Sequence, residues 1–339
     1  MEPALVETLI VARRGRGRTA GRLLLVRVAI AFPVLLVVSL ALFALAGLSP
    51  FDPLATYLGG EYQSASQAQR EAAQVAYGLD ASWWSAWWRW ACALLSGDLG
   101  FSSTKGRPVA EVLAQGLPFT IGLSATALLI AAAAAITLGA VAGMRSGSRL
   151  DKTVSALATA LAATPPFVVS LLLVAVFAVG LRALPTSGAR APGEPYTLGG
   201  IVSHAALPVT ALALSQMPWL LLSMRSAVVD AARSDAVRGA RARGISGATL
   251  LRGHIGPMSV LPTLALLGTR LPEVIAGATI VETVFGWPGI ASALVDSATA
   301  LDFPLFASLS LLAAAAVLAG SALADAAAVW LDPRIELAG

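Results

Sequence analysis

Two small groups of charged residues stand out in a chain where only 12% of the 339 residues are charged. The first lies in "DAVRGARARGISGATLLRGHIGP", Asp235 to Pro257, with Arg238, Arg241, Arg243 and Arg252 set against the single acid Asp235; Arg233 stands just upstream. Guanidinium groups bind carboxylates in a planar, bidentate way, so arginines on a short helix are suited to gripping the acidic rim of a groove. The second is "GTRLPEVIAG", where Arg270 and Glu273 are three residues apart and share a helical face. A charge near the centre of a membrane span costs about 2.5–3.5 kcal/mol on insertion scales, so each must face protein or water. A structural ion pair and a polar lining of a transport path both satisfy that demand. Covalent and metal chemistry find little support. Cys92 is the only cysteine and His204 and His254 are the only histidines, which excludes an internal disulfide and a cysteine-based metal cluster. Neither histidine has an acidic partner at helical spacing, and no metal role is assigned to His204. With no GxSxG or HExxH, an intramembrane enzyme is the weakest reading.

The elements that must carry these groups are set by hydropathy. Hydrophobic residues make up 57% of the chain and the mean hydropathy is +0.77, outside the range of soluble domains. Spanning a hydrocarbon layer of roughly 30 Å takes about 20 apolar residues in a helix. Six segments qualify: Leu23–Gly47, Pro118–Ala142, Thr153–Leu181, Ala205–Leu222, Met258–Thr283 and Leu305–Trp330. The fourth is the weakest, because Pro208, Gln216 and Pro218 interrupt it. This predicts an all-α integral membrane protein in which residues 1–22 form a basic cytoplasmic N-terminus and 23–339 a six-span domain. Residues 48–117 then form an external segment, and 223–257 a cytoplasmic loop. With both ends inside, 16 of the 23 Lys and Arg residues fall on the cytoplasmic side, as the positive-inside bias requires. That placement in short connections also argues against a nucleic-acid binder, whose charges gather on one exposed face. The basic start "RRGRGR" before an apolar run resembles a signal peptide, but 25 residues exceed a typical h-region of about 7–15, so a retained first span is expected.

The external segment contains "SWWSAWWRWACALLSGDLG". Trp84, Trp87 and Trp88 share one helical face, and tryptophan favours the headgroup zone, so an amphipathic helix on the outer surface is expected rather than a stacking platform for sugars or bases. Cys92 in that helix reads as a small structural hydrophobe. On the cytoplasmic side, Ser234 can cap a helix starting at Asp235, whose charge suits the helix N-terminus, and Gly244 falls just past its end. About nine residues are too few for a stable isolated helix, so it must pack on something. Ala236, Gly239 and Ala240 form a nearly bare stripe that permits close approach of a partner, while Arg238 and Arg241 stand beside it. An ordinary positive-inside loop would carry the same charges.

This stretch resembles the cytoplasmic coupling loop of ABC importer permeases, E-A-A-x-x-x-G-x9-I-x-L-P. "RGA" at Arg238–Ala240 is separated from Gly244 by three residues, and Pro257 follows that glycine by thirteen. Arg238 and Gly239 replace the motif's Glu and Ala, and His254 and Gly256 its Ile and Leu. "FPVLLVVSLALFALAGLSPFDP", "GLD" at Gly78–Asp80, "GDLGFSS" at Gly97–Ser103, "VETVFGWPGIASALVDSATALDFPL" from Val281 and "LDPRI" at Leu331–Ile335 narrow the resemblance. They point to the dipeptide/oligopeptide/nickel branch, and within it to the first-type permease of the heterodimer. It covers nearly the whole chain from Arg22 to Ile335.

The resemblance implies a type I importer permease that pairs with a second homologous permease, two cytoplasmic ABC ATPase domains and an extracytoplasmic substrate-binding protein. ATP and Mg would be bound by the ATPases, since this chain has no GxxxxGK[ST] stretch. Asp235, Arg238, Gly239, Ala240, Arg241 and Gly244 would contact an ATPase cleft, and Glu282, Trp287, Pro288 and Gly289 would belong to an external loop or gate. Glu282 is expected to order that loop rather than touch substrate, and Asp325 to bond between helices near the inner face. Short peptides are the leading substrate; nickel chelates, opines, glutathione or glycosides use the same machinery. A proton-coupled secondary transporter is the alternative of another class, but the halves show no convincing inverted repeat.

Overall fold

The computed structural model describes residues 3–48, 65–76, 82–300 and 302–331. The "GLD" stretch and residues 332–335 of "LDPRI" lie outside them. The described chain is almost wholly helical. Helix α1, Pro3–Gly47, runs without interruption through the basic N-terminus into the first span, with Pro33 inside it. Its 45 residues reach about 68 Å, well over the hydrocarbon thickness. Only Leu24–Gly47 is apolar enough to cross, and just 6% of its most apolar stretch is buried against the rest of this chain. Helices α2 (Gln67–Ala76) and α3 (Trp83–Leu95) follow, then a short antiparallel pair, β1 (Phe101–Ser102) with β2 (Arg107–Pro108). The remaining helices are α4 (Val109–Met144), α5 (Arg149–Ala162), α6 (Pro166–Leu173, continued as a π-helix over Val174–Gly180) and α7 (Leu198–Arg233). They are followed by α8 (Asp235–Ala242), α9 (Gly247–Leu250, continued as a π-helix over Leu251–Ile255), α10 (Gly256–Thr269), α11 (Leu271–Phe285), α12 (Ile290–Thr299) and α13 (Phe303–Leu331). Among the described residues four helices are long and apolar enough to cross a membrane, or up to six if each bent pair is one span.

Two of the expected spans are broken, and two others are single helices that run past their expected ends. The expected third span is broken: Arg149–Ala162 and Pro166–Gly180 meet at 105°. Pro165 and Pro166 cause it, since the residue before a proline is pushed out of the α region and proline cannot donate to the helix ladder. The fifth is two helices divided at Arg270, with Pro272 in the first turn of the second. The fourth, expected to be weakest, is one unbroken helix of 36 residues with Pro208 and Pro218 inside it. Thirteen of its residues are buried and it packs on α5, α6, α10 and α11, so tertiary contacts outweigh the local cost of two prolines. It also runs on to Arg233, so the expected loop from 223 begins as three turns of helix. The outer segment likewise ends earlier than expected, because α4 begins at Val109.

The chain divides into two compact units, residues 1–28, 122–287 and 317–339, and residues 29–121 and 288–316. In the first, α4 lies close on α7: a Cβ added at Gly139 would come 2.7 Å from the Leu221 carbonyl oxygen, and one at Gly143 would come 2.8 Å from that of Arg225. Small residues four apart permit this backbone contact, which takes the place of hydrophobic driving force in lipid. Asp325 of α13 pairs with Arg27 of α1, the interhelical partnership expected of it.

The second unit is pinned by polar contacts around a small apolar core of Val109, Val112, Ala293, Leu305 and Leu309. Asp302, 1% exposed, accepts hydrogen bonds from the Thr104 amide (3.0 Å) and from the Ser102 and Thr104 hydroxyls, tying the β1–β2 turn to the start of α13. Lys105 reaches Asp296 at 2.8 Å. The tryptophan helix α3 rests partly on α1: Trp87 is buried and its Nε1 donates to Ser39 Oγ at 3.1 Å, while Trp90 packs on Phe43. Trp84 and Trp88 remain exposed, as a surface helix requires, but Cys92 is exposed too, not buried as a structural hydrophobe would be.

Candidate functional site

The basic stretch folds as a short capped helix built onto the end of α7. Ser234 leaves helical geometry (φ −66°, ψ 153°), and its hydroxyl accepts from the Val237 amide at 3.4 Å. This satisfies one of the amides a helix start leaves unpaired. At the other end Arg243 is the C-cap and Gly244 takes φ +82°. The Gly244 amide donates to the Arg241 carbonyl (2.9 Å) and the Ile245 amide to that of Ala240 (3.1 Å), the Schellman pattern that glycine makes possible.

One face of α8 is built into its own chain. Val237 and Ala240 are fully buried in a cluster with Met224, Val228 and Ala231 of α7, Leu250 of α9 and Ile255 of the π-helix after it. This corrects the expected bare stripe, which does not act as a unit. Ala240 faces inward and is removed from any contact surface, Ala236 is exposed and Gly239 is half-buried. A Cβ added at Gly239 would meet nothing within 4 Å. Arg238, Arg241, Ala242 and Arg243 are exposed, and Asp235 pairs with Arg238 on that outer surface. Packing follows the i, i+3 relation of Val237 and Ala240, which the sequence pattern carries as well as it carries the stripe through Ala236. A β-branched side chain buries more apolar surface than an alanine, so Val237 decides the inner face. The result is an arginine-bearing surface held rigidly from behind.

Arg270 and Glu273 are brought together as their spacing predicts. Arg270 occupies the break before α11, and its guanidinium contacts both Glu273 carboxylate oxygens. It also lies 4.6 Å from the centroid of the Trp219 ring, a cation–π contact the sequence reading missed. The side chain of Glu273 is 51% exposed and that of Arg270 22%, so the pair is not sealed between helices of this chain. The nearby Gln216 is buried, where Gly277 approaches α7 closely. Toward the α8 end of α7, a groove of about 460 Å³ is lined by Ser223, Ser226, Asp230 and Met258 among others.

The segment expected to form an outer loop or gate is locally well ordered. Glu282 is fully buried and Trp287 is 3% exposed. Gly286 caps α11 with φ +56°, the Trp287 amide donates to the Glu282 carbonyl at 2.9 Å, and the Gly188 amide donates to that of Phe285 at 2.8 Å. Pro288 and Gly289 precede α12, where the Ile290 amide donates to Thr120 Oγ1 at 2.9 Å and Gly289 lies against Gly116. His204 Nδ1 lies 2.9 Å from the Gly200 carbonyl of its own helix.

A further pair escaped the sequence reading. Asp151, 2% exposed, receives a two-pronged contact from Arg225 (2.8 Å from a terminal guanidinium nitrogen to Oδ2) and a bond from the Gly147 amide, also 2.8 Å. The signal available was "SRLD", a capping-box pattern that places an acid in the first turn of a helix.

A family model described as "Binding-protein-dependent transport system inner membrane component" matches residues 135–337. The chain is 30% identical to the "Oligopeptide transport system permease protein AppB" of Bacillus subtilis, over 91% of this chain and 98% of that protein. It is 31% identical to the "Probable D,D-dipeptide transport system permease protein DdpB" of Escherichia coli, over 88% of this chain and 92% of that protein.

Proposed function

This chain belongs to the family of binding-protein-dependent transport system inner membrane components, and on that premise we propose that it forms half of the path of an ATP-driven importer of di- and oligopeptides. The names of its relatives support the substrate class, and the "VETVFGWPGIASALVDSATALDFPL" and "GDLGFSS" stretches support the first-type subunit beside a second homologous permease. Its partners are then two cytoplasmic ABC ATPase domains and an extracytoplasmic binding protein. It is a non-catalytic, multi-pass subunit with both termini in the cytoplasm; ATP and Mg are bound by the ATPases.

The observation that carries this reading is α8. Its inner face is buried in its own core, its ends are closed by a hydroxyl cap and a glycine, and its outer face presents Arg238 and Arg241 beside the open Gly239. Such a helix is stiff enough to receive a push and open enough to be gripped. Asp235, Arg238, Gly239, Arg241 and Gly244 form the coupling surface on this reading, with Ala240 serving from behind. Arg270 and Glu273 line the path, since a half-exposed ion pair at membrane depth needs water or another protein as its neighbour. Opposite charges lining a wet cavity suit a peptide, whose ammonium and carboxylate lie apart at its two ends. Glu282, Trp287, Pro288 and Gly289 order the outer gate.

The test is uptake of labelled dipeptide into vesicles holding the complete complex. Uptake should require ATP and the binding protein and should survive collapse of the proton gradient. Uptake that persists without ATP and stops with that gradient would overturn the proposal.

A further inference from the structure

We infer that the Asp151–Arg225 pair is a positioning clamp through which displacement of α8 reaches the start of α5 and sets its direction. The inference rests on α8 being the ATPase-contacting helix. Arg225 lies nine residues before Ser234, roughly 13 Å along the axis of α7. Over that distance α7 and α8 behave as one body, because Met224, Val228 and Ala231 share a buried cluster with Val237 and Ala240. Helix α4 is joined to the same body by backbone contact at Gly139 and Gly143. Helix α5 is not. Of its 14 residues only Asp151 and Ala158 are buried, and its far end stops at Ala162, beyond which the chain turns through 105°. Apolar packing holds the middle of α5, where Val154 and Ala158 sit against Ala135 of α4 and Leu220 and Leu221 of α7, and α6 cannot carry it along as a straight continuation. What holds its near end is a carboxylate gripped by two guanidinium nitrogens of α7 and by the Gly147 amide in the turn after α4.

A pair that served stability alone would be replaceable by apolar residues, which often match or exceed a buried ion pair. A clamp would not, because the paired fork fixes direction as well as proximity. Rigid, packed elements with such connections are what carry coupling between distant sites.

The experiment compares Asp151→Leu with Arg225→Met, made together, and Arg225→Lys, each in the complete complex in vesicles. Assembly, ATPase stimulation by the loaded binding protein, and peptide taken up per ATP hydrolysed are measured. The double variant should assemble and hydrolyse ATP like the wild type, yet transport per ATP should fall by roughly tenfold, within the usual range of allosteric coupling. Arg225→Lys keeps the charge but loses the fork, and should give an intermediate loss. Wild-type transport per ATP in either assembled variant would overturn the clamp, as would failure of both to assemble. Absence of ATP-driven uptake in the wild-type complex would instead defeat the permease reading itself.

Discussion

Gly239 and Ala240 are neighbours in α8 that meet opposite surroundings, and substitutions there separate docking from folding. A side chain at Gly239 points into open space, so Gly239→Trp should insert, assemble its own helices and melt as the wild type does. It should lose ATPase stimulation, because an indole then stands where the partner must approach; unchanged stimulation in the reconstituted complex would remove Gly239 from the contact. Ala240→Trp should instead overpack the cluster of Met224, Val228 and Ile255 and cost about 1–3 kcal/mol or more, read as a lower melting temperature in detergent. At Arg270 and Glu273 the single leucine variants each leave a charge without its partner, whereas the double variant removes both. Arg270→Leu with Glu273→Leu should recover membrane stability but transport peptide poorly. Full transport by that stable double variant would show that the pair serves structure only.

The element that should govern coupling is α8 with its caps. Gly244 holds φ +82°, a region that β-branched residues enter at a cost of about 1–3 kcal/mol. Gly244→Val should therefore loosen the Schellman end, where Ile245 bonds back to Ala240, without disturbing the spans. The expected outcome is normal insertion with transport and binding-protein-stimulated ATP hydrolysis reduced together, and Gly244→Ala milder than Gly244→Val. Equal, wild-type activity in both variants would show that the helix end is not part of the coupling surface. The two π-helical stretches mark the other points where elements depart from plain rods. After Leu250 the backbone widens to bring Gly256 against the Leu251 carbonyl, a contact a Cβ would place at 2.8 Å.

For the whole molecule the orientation is the quantity to test, and cysteine placement suits it. Cys92 is the only thiol and is exposed in α3. Ser246 precedes α9, is exposed and makes no capping bond, so Ser246→Cys should leave the fold intact. In intact cells an impermeant thiol reagent should label Cys92 in the wild type. It should fail to label Ser246→Cys in a Cys92→Ala background until the membrane is opened. Labelling of Ser246→Cys from outside would reverse the assigned topology.

Hydropathy and charge placement determined the membrane class and its helical content, because burial in lipid demands long apolar helices whatever their neighbours do. The ends of α8 were equally legible, since Ser234 and Gly244 act through their own backbone geometry within a few residues. The pairing of Arg270 with Glu273 was legible for the same reason, being local to one helical turn. Tertiary structure alone decided the rest. Pro208 and Pro218 sit in an unbroken helix while Pro165 and Pro166 break one, and the difference lies in the packing around α7, which no local pattern encodes. Which face of α8 turns inward depended on Met224, Val228 and Ile255 arriving from other segments. Asp151 found Arg225 across 74 positions and Asp302 found Ser102 across 200, separations at which spacing carries no geometric information and only the assembled fold brings charge to charge.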